Sequence, residues 1–255
     1  SNLFKGLQGV GQSPTVLVFH KFIFAKRITH MSKNKHEIFE GFPKEMSEFL
    51  IELRFNNNKE WFDLNRNRYF DLVKEPMDLF SNELNDELIK KTGIKTIPSV
   101  SRINRDIRFS KNKEPYRDHR WVVFKRNEGQ WKTKPVLFFE IGADYYSTGM
   151  GIYDAKSDYM NAFRKKIDAN TPEFERIAKK YHNGKYKFLG DKYKKKFAGD
   201  RSDIVNEWYM RKSVGLEYTA PIDNIVLSRD IIDLCLKEFM YLLPMVNYLN
   251  EVSYE

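Results

Sequence analysis

The chain has 255 residues, enough for one large domain or two small ones; 41% are hydrophobic and 15% aromatic, which excludes a disordered chain and supplies a sizeable core. With 31% charged residues it does not read as a membrane protein. The net charge of +9 is concentrated in two segments, +6 over residues 102–126 and +7 over residues 179–196, so the rest of the chain is net acidic. Local positive fields of this kind attract phosphates, nucleic acid or acidic surfaces, although a lysine-rich stretch can equally be a solvated face.

Residues 1–30 differ in character from the remainder of the chain. The run Val16-Leu-Val-Phe-His-Lys-Phe-Ile-Phe-Ala25 is interrupted by His20 and Lys21 and is too short to span a bilayer. It has no basic start and no small-residue cleavage site, so it does not read as a signal peptide. Met31 opens an ordinary polar start, and the expectation is that residues 1–30 are a leader or upstream extension to a single domain over 31–255, the alternative being a strand packed on that domain.

Beyond Pro43 the spacing is helical. Met46, Phe49, Leu50 and Leu53 form one stripe. Asn57, three residues before Glu60, is placed to start a capping box. Trp61, Phe62, Leu64, Tyr69, Leu72 and Val73 continue the pattern, and Pro76 is expected to kink or restart it. Met77, Phe80, Leu84 and Leu88 make a further stripe stopped by Gly93. The period then changes. Trp121-Val-Val-Phe124, Pro135-Val-Leu-Phe-Phe-Glu-Ile141 and Tyr145-Tyr-Ser-Thr-Gly-Met-Gly-Ile-Tyr153 read as strands, the last with glycines that suggest a bulge or bend. Helices return at about 156–168 and 172–182, over Asp203–Met210, and from a Ser228 cap to the chain end, with a kink at Pro244. The fold class expected is α+β: one mainly antiparallel sheet, about residues 103–153, packed by N-terminal and C-terminal helices.

The single cysteine, Cys235, lies in an apolar run and reads as a core residue, which fits a reducing cytoplasm. The five histidines have no metal spacing and the established nucleotide-loop and nucleophile-elbow patterns are missing, so neither a metal nor a cofactor is expected.

The segment densest in chemistry is Arg102-x-x-Arg105-Asp106-x-Arg108-Phe109-x-Lys111-x-Lys113-x-Pro115-Tyr116. Arginine forks match phosphate and carboxylate oxygens. Read as a strand, it puts Ile103, Arg105, Ile107 and Phe109 on the core face and Arg102, Asp106 and Arg108 on the other. Arg105 would then be structural, with a buried carboxylate partner, while Asp106 orients the Arg108 guanidinium. Lys113, Tyr116 and His119 would converge from the adjoining turn. The candidate anion-binding set is Arg102, Arg105, Arg108, Lys113 and Tyr116. His119 and Asp106 are candidates for acid–base work, and so is Glu140, which can also pair with Arg105 or Arg108.

The same segment resembles the signature of a bacterial conserved-hypothetical family, a domain of unknown function of about this length. Phe49-Leu-x-x-Leu53 with Asn57-Asn58-x-x-Trp61-Phe62 resembles that family's opening, and Gly149-Met-Gly-Ile-Tyr153 with Arg164 its middle. The resemblance covers roughly residues 42–250. It implies a domain boundary and a site but no mechanism.

Three functions remain open on the sequence. The first is a cytoplasmic protein that holds the phosphate or carboxylate of a small molecule or nucleotide in an arginine pocket. The second is a non-specific nucleic-acid module using Lys185, Lys187, Lys192, Lys194, Lys195 and Lys196, with neighbouring aromatics stacking bases. The third is an interaction protein in which the arginine motif is only a structural lock. No reaction is assigned.

Overall fold

The computed structural model describes residues 38–126, 131–195 and 197–253. The leader expected at 1–30 lies outside the described residues, as does Lys196.

The N-terminal stripes form the helices their spacing predicts. Helix α1 (Glu45–Phe55) buries Met46, Phe49, Leu50 and Leu53, one face of a 3.6-residue period. Helix α2 (Lys59–Leu64) is capped by Asn58, whose side-chain oxygen accepts from the Trp61 N–H at 2.9 Å. The cap is therefore Asn58 and not the expected Asn57, whose side chain reaches across to Tyr116 instead. After the short turn α3 (Arg66–Tyr69) the backbone widens into a π turn over Phe70–Lys74 before α4 (Glu75–Thr92), which carries Pro76 in its first turn. Proline brings no N–H for the carbonyl four residues back, and a π turn there absorbs the mismatch. Gly93 ends α4 in the left-handed region (φ 69°), its N–H donating to the Ile89 carbonyl at 2.7 Å.

The strands form one antiparallel sheet of six, in the order β1-β2-β3-β4-β6-β5. They are β1 (Thr96–Val100), β2 (Arg120–Arg126), β3 (Val136–Ile141), β4 (Tyr145–Gly151), β5 (Lys187–Leu189) and β6 (Gly215–Pro221). The fold class is the α+β one expected, but the sheet reaches beyond residues 103–153 at both ends. Residues 102–119 are a loop between β1 and β2, with a single bridge between Asn104 and Tyr116, not a strand. The glycines of β4 do not bulge it; its register with β3 and β6 is regular. A Cβ on Gly149 would stand 2.1 Å from the Leu216 carbonyl oxygen and 2.7 Å from the Phe138 ring, so glycine there lets that ring lie across the strand.

Alternation gives the sheet two unlike faces. Val122, Phe124, Leu137, Phe139, Ile141, Tyr146 and Met150 are buried in the core with α4 and the final helix α8 (Asp230–Asn250), where Phe124 meets Phe239 at 5.3 Å between ring centroids. Cys235 is buried in α8. Helices α5 (Ser157–Ala169), α6 (Thr171–Ala178) and α7 (Asp203–Tyr209) build the C-terminal part of the core. The other face carries Trp121, Val123, Val136, Phe138 and Glu140 and opens into two adjoining clefts.

Candidate functional site

The arginine motif is a loop anchored at its roots. Across its neck the Arg105 N–H donates to the Pro115 carbonyl at 2.8 Å and the Arg117 N–H to the Ile103 carbonyl at 2.9 Å. Asn57 clamps the returning arm. Its amide donates to the Tyr116 carbonyl and accepts from the Tyr116 N–H, both at 3.0 Å. Ile103 and Tyr116 point inward, Tyr116 lying 4.1 Å from Phe62, ring on ring. Tyr116, expected in the anion site, is therefore a packing residue with 5% of its surface exposed.

Because the segment is a loop, strand alternation does not govern its side chains. Phe109, expected on the core face, is 96% exposed. Arg105 is half-buried, not sealed in the core, and its carboxylate contact is Glu114 at 3.4 Å. Arg108 is gripped by Asp106 through two bonds, Nε to Oδ1 at 2.9 Å and Nη2 to Oδ2 at 2.6 Å. The bonds donated by Arg108 hold the Asp106 carboxyl at about 2, which keeps it an ionised partner and removes it as an acid. Lys113 donates to the Ile107 carbonyl at 3.0 Å.

Two of the five expected anion ligands, Arg102 and Arg105, line a cleft of about 650 Å³ against the free face of the sheet. Arg108, Lys113 and Tyr116 do not. Sequence reasoning missed the cleft's other charged and aromatic lining: Arg117, Trp121, Trp131, Lys132 and Tyr153. Arg117 is fixed, donating to the Arg102 carbonyl at 2.8 Å and to the Asn104 carbonyl, with its guanidinium 4.8 Å from the Trp121 ring. Burial, helped by the charge of Arg105, lowers its pKa. The Lys132 ammonium stands 5.7 Å from the Tyr153 ring. Among the described residues neither Arg102 nor Lys132 is ion-paired.

His119 does not join the motif side chains. It contacts Asp118 at 3.0 Å and stacks on Trp121 at 5.7 Å. Burial would raise the Asp118 carboxyl, yet the bonds from His119 and from Arg54, the latter at 2.6 Å, hold it below its ordinary value. Glu140 pairs with neither Arg105 nor Arg108; its carboxylate accepts the Tyr145 hydroxyl. Burial, then that bond, pushes the Tyr145 phenol well up. Among the described residues no group of three or more His, Cys, Asp or Glu is placed to hold a metal ion. No described helix is long and apolar enough to cross a membrane.

The lysine-rich segment is partly engaged. Lys185 binds the buried Glu238 at 2.5 Å and Lys192 pairs with Glu207. Lys187, Lys194 and Lys195 are exposed. The aromatics expected to stack bases divide: Tyr181 and Tyr186 are buried, whereas Tyr193 and Phe197 are exposed and lie 5.3 and 4.7 Å from the guanidinium of Arg164. Arg164 is itself buried and donates to the Tyr209 and Arg211 carbonyls at 2.9 and 2.7 Å, so it ties this segment to α5.

Fold and cleft define a protein class: an α+β domain with one helix-backed antiparallel sheet and a cationic loop standing over the sheet's free face. Residues 45–248 match the conserved hypothetical protein family DUF2461, and the chain belongs to that family. A comparison with curated proteins returned no match.

Proposed function

We propose that this DUF2461 domain is a cytoplasmic binding protein for a small molecule bearing a phosphate or carboxylate, held between the arginine loop and the free sheet face. The observation that carries this reading is the charge balance of the cleft. Among the described residues, Arg102, Arg105, Arg117 and Lys132 line it, its one acidic lining residue, Asp106, is already taken by Arg108, and the nearest carboxylate to Arg105 is Glu114 at 3.4 Å. Cations gathered with fewer carboxylates than charges are costly to hold together, and an anion relieves that cost. Arg102, Arg105 and Lys132 supply the contacts; Arg117, tied to two carbonyls, shapes the wall. Titration of inorganic phosphate followed by calorimetry tests this. Arg102→Ala and Arg105→Ala should each weaken binding about 10-fold or more, the loss of one charge-assisted hydrogen bond. Wild-type protein that takes up no phosphate and no sulfate contradicts it.

A second reading, polyanion binding by the lysine-rich segment, draws on the exposure of Lys187, Lys194 and Lys195. A groove that tracks many phosphates loses affinity steeply with salt, whereas a compact pocket loses less. Binding of single-stranded nucleic acid that falls steeply with salt and is removed by charge reversal at Lys194 and Lys195 would favour it.

A further inference from the structure

The cationic cleft does not end at the arginines. A second cleft of about 350 Å³ adjoins it, sharing Trp121, Val123, Trp131 and Tyr153. The first stands over β1 and β2; the second continues across β3, β4 and β6 to Leu189 of β5. The second is mostly apolar, and among the described residues Glu140 is its one charged lining residue. Resting on the anion-binding reading, we infer that the ligand is an amphipathic anion with an unbranched hydrocarbon chain: its carboxylate or phosphate at Arg102 and Arg105, its chain laid across the strands in the second cleft.

The strand register supplies a trench for that chain. Val136 stands opposite Gly151, Gly151 opposite Gly215, and Gly215 opposite Leu189. One row of the free face therefore crosses four strands with no side chain at its two middle positions. Three inter-strand steps make it about 14 Å long. Phe138 borders the row on one side, its ring over Gly149. Trp131 and Tyr153, with centroids 5.9 Å apart, border it on the other, and Tyr153 is 71% exposed. Covering this apolar surface is favourable. Val123 joins the trench to the arginines, standing between Ser99 of β1 and Phe138 of β3 and lining both clefts.

Polarity decides what the trench takes. A sugar or a nucleobase would bring donors and acceptors to a row whose only side chains are those of Val136 and Leu189, and polar groups left unpaired there are costly. A hydrocarbon chain asks for no partner. Glu140 does not obstruct it. It lies at the other end of β3 from Val136, about 13 Å along the strand and level with Trp121. Its carboxylate is turned to the Tyr145 hydroxyl, beside the β3–β4 turn and away from the row.

The test is titration of the full chain, below micelle formation, with acetate, octanoate, dodecanoate, inorganic phosphate, octyl phosphate and uncharged octanol, followed by calorimetry and tryptophan fluorescence. Affinity should rise about 3-fold per methylene from acetate to octanoate. Octyl phosphate should exceed inorganic phosphate similarly, and the tighter of the two octyl anions names the head group. Octanol should bind at least about 10-fold more weakly than octanoate. Leu189→Ser, at the far end of the row, should weaken dodecanoate more than octanoate and leave acetate and phosphate unchanged. Trp131→Ala, outside the strands, should weaken both chains and keeps the test open if Leu189→Ser does not fold. If inorganic phosphate binds and neither octyl anion binds tighter than its chainless counterpart, the chain inference fails while the anion site stands. If no anion binds, both fail. If octanol binds as well as octanoate, or neither substitution changes binding of the chains, the trench is not their site and the inference is overturned.

Discussion

At the scale of single residues, Asn57 and Arg105 depart from the roles the sequence suggests. Asn57, legible as a helix cap, fastens the backbone of Tyr116 with two hydrogen bonds. Asn57→Ala leaves two backbone groups of a part-buried loop without partners and should cost about 1–3 kcal/mol, read from a denaturant melt. Arg105, legible as a buried ion pair, is half-exposed with one long contact to Glu114. Arg105→Ala should therefore cost less than about 1 kcal/mol, and a loss of several would restore the buried-pair reading. The acid limb of stability belongs partly to Asp118, whose carboxyl is depressed below 3.8 in the folded protein. The unfolded chain binds that proton more readily, so the contribution is complete above the ordinary carboxylate value and disappears as pH falls through the depressed one. Melts over the acid range should show Asp118→Asn flattening this limb; an unchanged limb would show that Arg54 and His119 do not stabilise the carboxylate. These roles are not legible in the sequence because they depend on which residues meet across 59 or 64 positions of chain.

At the scale of elements, helices are more legible than strands. The stripe through Met46, Phe49, Leu50 and Leu53 states its period within one segment. Strand β1 contains Pro98, which argues against a central strand and is tolerated at the sheet edge where β1 lies. Strand β5 has three residues, too few for alternation to register, and β6 is defined by its pairing with β4. The arginine motif misleads in the other direction. Ile103, Arg105 and Ile107 alternate as a strand would, but the chain turns back on itself to bring Tyr116 beside Asn104. Gly149, suggestive of a bulge, makes room for Phe138. Gly149→Ala should destabilise by about 1–3 kcal/mol through overpacking, and a neutral effect on the melting temperature would mean that the Leu216 carbonyl and the Phe138 ring both move aside at no cost.

At the scale of the whole molecule, the sheet separates support from site. Helices and core back one face; the arginine loop, the tryptophans and Glu140 stand over the other. A concentration of positive charge is visible in the sequence, and two of the cleft's cations, Arg102 and Arg105, can be picked out from it. Lys132 and Tyr153 join only because β3 and β4 bring distant segments alongside the loop, a juxtaposition no local pattern records. Whether the cations of this cleft hold an anion is settled most directly by a crystal grown or soaked with selenate, located by its anomalous signal. Anion binding at the cleft requires a peak within hydrogen-bonding distance of Arg102, Arg105 or Lys132, absent from the Arg102→Ala/Lys132→Ala protein. A cleft without a peak, or peaks confined to Lys194 and Lys195, would contradict it.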